Sequence, residues 1–158
     1  MATKIQGLDR LKRKLTVLPD KAREAIAKAM EQGAEEVVAL AKSLVPIDNG
    51  TLRDSIGWTW GDAPKGSMVL GTVRQSGRGA GNMVITIFAG GRDAFYAAWV
   101  EFGTSPHTNE GLYAGSQHPG TPAQPYFYPS WRAVRKRVRG RVTRAINKSA
   151  KQVAAGGK

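Results

Sequence analysis

Two histidines, His107 and His118, stand eleven residues apart with Glu110 between them, the nearest thing in this chain to a metal-ligand set. A zinc-type site wants a third firm ligand on a rigid mount. These imidazoles fall in a stretch rich in glycine and proline, so they read as two solvated loop residues. Ser55, Ser105 and Ser116 lack the G-x-S-x-G setting that exposes a nucleophile on a sharp turn. Gly77, Gly79 and Gly81 have the composition of a phosphate loop. A phosphate cradle runs from strand into helix, whereas a strand pattern follows here, so a hairpin tip is expected. Asp48 and Asp54 flank a turn, and Asp48 suits an Asx turn that accepts backbone amides. The chain has no cysteine, which removes thiolate ligands and disulfides. No catalytic residue, cofactor site or metal site is expected.

Charge and aromatic surface are the stronger signals. Glu101 lies between Val100 and Phe102 in an apolar segment. A carboxylate buried there needs a cation or several donors. Arg53 is the candidate partner, within the subunit or across an interface; an outward-pointing Glu101 in water is the alternative. Tyr126, Phe127, Tyr128 and Trp131 cluster around Pro125 and Pro129, and Trp58, Trp60 and Trp99 offer matching surface. Packing of the last helix onto the sheet is the expected role, ahead of stacking on nucleic-acid bases.

The net charge of +12 is uneven: from Gly111 onward lie ten of the 24 basic side chains and none of the 12 acidic ones. Arg132, Arg135, Lys136, Arg139 and Arg144 belong to one cationic run, expected to meet DNA phosphates or an acidic partner. Like charges four apart on a helix repel by a few tenths of a kcal/mol each, so a counter-charge is wanted.

The elements that must position these groups follow from periodicity. Residues 1–18 carry a short helix, with Leu8, Leu11, Leu15 and Leu18 at helical spacing. A long helix follows from Pro19, with Ala22, Ile26, Met30, Ala34, Val37, Ala41 and Leu44 on one face, and Pro46 ends it. Ile56, Trp58 and Trp60 alternate as a strand; residues 67–74 form a second strand and residues 83–89 a third, in an antiparallel meander. Residues 75–82, which include Arg78, form the flexible hairpin tip. Phe95 to Phe102 reads as a short central helix and residues 104–124 as a long loop, of the kind that is functional or ordered by a partner. A basic helix starts at Pro129, with Val134, Val138, Val142, Ile146, Ala150 and Val153 on one face and a bend expected at Gly140. Residues 154–158 are expected to fray.

These elements predict one α+β domain over residues 1–158: a long N-terminal helix, an antiparallel sheet of three to four strands, a short central helix and a basic C-terminal helix. Length and a 41% hydrophobic content suit one modest core. No apolar run approaches the ~20 residues of a membrane span. The first fourteen residues lack the apolar stretch of a secretion signal. The expectation is a protein that stays in the cell where it is made and contacts no membrane.

Three segments carry a resemblance: Val45–Ile56, with Pro46, Asp48 and Gly50-Thr51-Leu52-Arg53-Asp54-Ser55; Tyr96–Thr104, reading Y-A-A-W-V-E-F-G-T; and Ala123–Pro129, reading A-Q-P-Y-F-Y-P. In order and spacing they resemble the tail-component or neck family of long-tailed double-stranded DNA bacteriophages. Asn49 stands where the family usually has Thr, and Tyr126 where Phe is commoner; both keep the local chemistry.

The resemblance implies a structural virion protein made in the host bacterial cytoplasm. It implies a homo-oligomeric ring of six or twelve subunits at the top of the tail tube. Such a terminator joins the head to the tail between the connector and tail-tube proteins, near DNA in the channel. A head-closure ring below the portal is the close alternative, and a sequence-independent DNA-binding protein using the basic helix is the alternative of another class. Asp48, Arg53, Arg78, Trp99, Glu101, Phe102 and Phe127 are the residues expected at assembly interfaces.

Overall fold

The computed structural model describes residues 20–75 and 83–155. The expected helix in residues 1–18, the hairpin tip with Arg78 and the end of the tail lie outside these residues. Helix α1 (Asp20–Leu44) opens on Asp20 and has Lys42 in its last turn, charges that both favour the helix dipole. Ala22, Ile26, Met30, Ala34, Val37 and Ala41 are all buried, as the periodicity predicts. The last expected member is not: Leu44 is 48% exposed, and Val45, four residues after Ala41, takes the buried place.

A single turn of helix, α2 (Thr51–Asp54), follows Gly50. Three strands come next: β1 (Gly57–Trp60), β2 (Ser67–Gln75) and β3 (Met83–Gly90). They form an antiparallel sheet in the order β1-β3-β2. This corrects the expected meander, since β1 and β2 flank β3 instead of pairing with each other. Sequence neighbours usually pair, but β3 buries Ile85, Thr86, Ile87 and Ala89, with Phe88 half-buried between them. A strand buried on both faces belongs in the middle, with a ladder on each edge. The register runs Trp58 opposite Ile87 and Trp60 opposite Ile85 on one edge, and Thr72 opposite Thr86 on the other. Thr86 donates its hydroxyl to the Gly61 carbonyl at 2.5 Å, which keeps a buried polar group satisfied.

Helix α3 (Ala97–Phe102) is the expected short central helix. Helix α4 (Phe127–Ala155) begins two residues ahead of Pro129 and runs unbroken through Gly140. Its valine stripe holds at first, with Val134 and Val138 buried and Val142 and Ile146 half-buried, then lapses: Ala150 is exposed and Ser149 is buried.

The two long helices pack against each other, and α1 also meets β1 and β3. Their closest point is fixed by a glycine. A Cβ at Gly33 would lie 2.6 Å from Val138 Cγ1, far inside contact distance. At the head of α4, Tyr126 and Phe127 are fully buried in the common core; each such side chain contributes about 1.5–3 kcal/mol of burial.

Candidate functional site

The Glu101 side chain is 3% exposed, on the inner face of α3 one turn after Ala97. Its partner is not Arg53. Oε2 accepts the amide protons of Tyr126 and Phe127, both at 2.8 Å, and Oε1 accepts that of Tyr128 at 3.0 Å. The carboxylate thus caps the N-terminus of α4, where unpaired amides and the helix dipole both favour an anion. Of the two ways to satisfy a buried carboxylate, the fold uses donors instead of a cation. Arg53 points outward and is exposed. Glu101 and Phe127, expected at an interface, instead hold together the inside of one subunit.

Tyr126 completes this knot. Its hydroxyl lies 3.4 Å from the Ala97 carbonyl, to which it donates. Burial, then the negative charge of Glu101, then Tyr96 push its pKa well above the ordinary 10.0. The second and third sequence segments are therefore one structural unit, and Gln124 N–H adds a 2.8 Å bond to the Val100 carbonyl.

The first segment is tied down in a similar way. The Ser55 hydroxyl donates to the Leu52 carbonyl at 2.6 Å and accepts the Gly90 amide proton at 3.0 Å, stapling α2 to the end of β3. Asn49, and not Asp48, forms the Asx turn: its Oδ1 accepts the Thr51 amide proton at 3.0 Å. Among the described residues, Asp48 has no hydrogen-bond or ion-pair partner. It lines a cavity of about 260 Å³ with Pro46, Ile47, Leu52, Tyr96 and Val100.

Beside this cavity α3 and the turn before it point their large aromatics outward. Phe95, Trp99 and Phe102 are 63%, 53% and 61% exposed. Phe95 and Trp99 pack edge to face at 5.4 Å, and Phe102 leans on Tyr128 at 5.7 Å. The expected use of Trp99 as backing for the Tyr126 cluster is not what the fold does. The half-buried Trp58 and Trp131 pack against the core instead, while Trp60 donates to Glu31 Oε1 at 3.1 Å.

The stretch 104–124, expected to be a loop, is an ordered arm. Thr104 and Thr121 exchange backbone hydrogen bonds at its base. Short strands β4 (His107–Thr108) and β5 (Gln117–His118) pair above them. The two imidazoles stack 4.8 Å apart across this ladder, so the histidines are part of the arm's wall. His118 Nδ1 accepts the Gly120 amide proton and His107 Nδ1 faces the Ser105 carbonyl. A 3-10 turn (Gly111–Tyr113) forms the tip, where Leu112 is 99% and Tyr113 75% exposed. The sequence hid this arm because its strands are two residues long and carry no apolar alternation. Gly103 sets its exit: φ is 72°, and a Cβ there would lie 2.6 Å from the Thr121 carbonyl oxygen.

Along α4, Arg132, Arg135, Lys136, Arg139 and Arg144 are all exposed. Part of the missing counter-charge is internal: Glu36 of α1 pairs with Arg137 and, at 3.0 Å, with Arg141. Both arginines belong to the same cationic run as the exposed five. Among the described residues no group of three or more His, Asp or Glu side chains could hold a metal ion, and no helix is long and apolar enough to cross a membrane.

One family model matches the chain, over residues 9–103, with the description "Bacteriophage HK97-gp10, putative tail-component". The match takes in the first segment and most of the second, while the third lies beyond it. No curated protein and no solved structure matches the chain.

Proposed function

Because the chain belongs to the HK97-gp10-like family of bacteriophage tail components, we propose that it closes into a ring at the top of the tail tube and joins the DNA-filled head to the tail. A structural tail role follows from the family; the ring and its position are our reading. The observation that carries it is the aromatic ridge of Phe95, Trp99 and Phe102, each more than half exposed. Soluble monomers rarely leave contiguous aromatics in water, and such patches mark protein contacts. Head-to-tail contacts between copies give a ring where the rotation from one copy to the next closes.

Native mass spectrometry of the purified chain, with images of negatively stained particles, should give a closed ring of six or twelve subunits. Phage lacking the gene should accumulate separate filled heads and finished tails. Normal joining without the protein would overturn the assignment. Cross-linking inside the virion separates the two ring positions: contact with the tail-tube protein supports a terminator, and contact with the portal supports head closure.

The exposed cations of α4 favour a second reading, a free protein that binds DNA without sequence preference. Such binding falls steeply with salt. Micromolar affinity for short duplex DNA at physiological salt would favour it over the ring.

A further inference from the structure

The arm carries two large side chains that nothing among the described residues covers. Leu112 is 99% and Tyr113 75% exposed, at the end of a hairpin closed by the Thr104–Thr121 bridge. Ordering such a tip in water has no return within the monomer. The arm is nevertheless well built: Asn109 N–H donates to the Ser116 carbonyl at 2.8 Å, and Gln117 Nε2 donates to Thr108 Oγ1 at 3.0 Å. A rigid arm with an apolar tip is pre-organised for insertion, because less ordering entropy remains to be lost on binding.

The cavity beside α3 has the complementary character. Its apolar walls are Pro46, Ile47, Leu52, Tyr96 and Val100, beside Asn49 and Gly50, and Asp48 brings to it a carboxylate with no partner among the described residues. A mostly apolar hollow with a carboxylate in its lining fits an apolar side chain next to a phenol, whose hydroxyl can donate to that carboxylate. Eight residues separate Thr104 from Leu112, so the tip can stand up to ~25 Å from its base.

We infer that the arm tip, Leu112 and Tyr113, inserts into the Ile47–Val100 cavity of a second copy of this chain, with the Tyr113 hydroxyl donating to that copy's Asp48. Knob and hollow are different surfaces of one molecule, so in a ring the contact is heterologous and passes from copy to copy. The inference rests on the ring reading.

The absence of native cysteine makes a direct test available. Chains carrying Leu112→Cys and chains carrying Ile47→Cys, mixed and mildly oxidised, should give a covalent heterodimer that stops at two subunits. The double variant should give a ladder ending at the ring's subunit number. Leu112→Asp, at a fully exposed site, should keep the fold and weaken self-association at least tenfold, read by sedimentation against wild type. Rings that form normally with Leu112→Asp and yield no heterodimer in the mixture would overturn the docking and leave the ring reading intact. A wild-type chain that stays monomeric at every concentration would overturn both.

Discussion

Glu101 Oε2 lies 2.8 Å from the Phe127 amide nitrogen and accepts its proton, so a carboxylate on one short helix terminates another of 29 residues. Tyr126 and Tyr128 share the same carboxylate. Glu101→Ala would leave three amides at the head of α4 without their acceptor. The expected cost is about 3 kcal/mol, or a Tm lower by roughly 6–12 °C for a chain of this size. Glu101→Gln keeps an acceptor but loses the charge, and should fall between. Thermal unfolding followed by circular dichroism checks this; a Tm within a degree of wild type for Glu101→Ala would refute the capping role.

Gly33→Ala should destabilise, against the usual direction for a helix interior. Alanine gains roughly 1 kcal/mol in propensity. The new Cβ, however, would sit 2.6 Å from Cγ1 of Val138, a stiff, buried, β-branched side chain. Overpacking of this kind costs about 1–3 kcal/mol, so overlap outweighs propensity. Urea unfolding of Gly33→Ala, with Gly33→Ala/Val138→Ala as the relieving partner, tests the close crossing. A single variant more stable than wild type would show that the helices can part at no cost.

Tyr126 sets an alkaline limit. Its folded pKa is raised above the ordinary 10.0, so its contribution is complete below that value. It is lost as the pH climbs, because the unfolded chain releases the phenolic proton first. From about pH 10 upward wild type should lose stability faster than Tyr126→Phe, by up to about 1.4 kcal/mol per pH unit. Urea midpoints at about pH 8 and pH 11 measure the difference; parallel declines would contradict it.

Arg53→Ala should leave the Tm of the subunit within about 1 °C, since Arg53 is exposed and Glu101 is satisfied without it. Any effect should appear only in assembly, read as a change in ring yield by sedimentation. A large drop in Tm would show a bond inside the subunit that this account lacks.

The long helices were legible because a 3.6-residue apolar period survives in Ala22, Ile26, Met30, Ala34, Val37 and Ala41, and in Val134 and Val138. Strand order was not: no local pattern says that β3 belongs between β1 and β2, because centrality comes from burial on both faces at once. The inward turn of Glu101 was half legible. Its apolar neighbours marked it as buried or interfacial, yet the donors that satisfy it lie 25 residues away in the chain and are backbone amides, which carry no side-chain signature. The arm was illegible for a related reason, since backbone bonds and a histidine stack hold it in place of an apolar face.

The positive pole of α4 is already spent on the protein's own carboxylate, so no outside phosphate can dock there as anions do at open helix starts. Whatever pull the helix exerts on a polyanion must come from its arginine and lysine side chains one by one. That attraction grows with their number and weakens steadily as electrolyte is added.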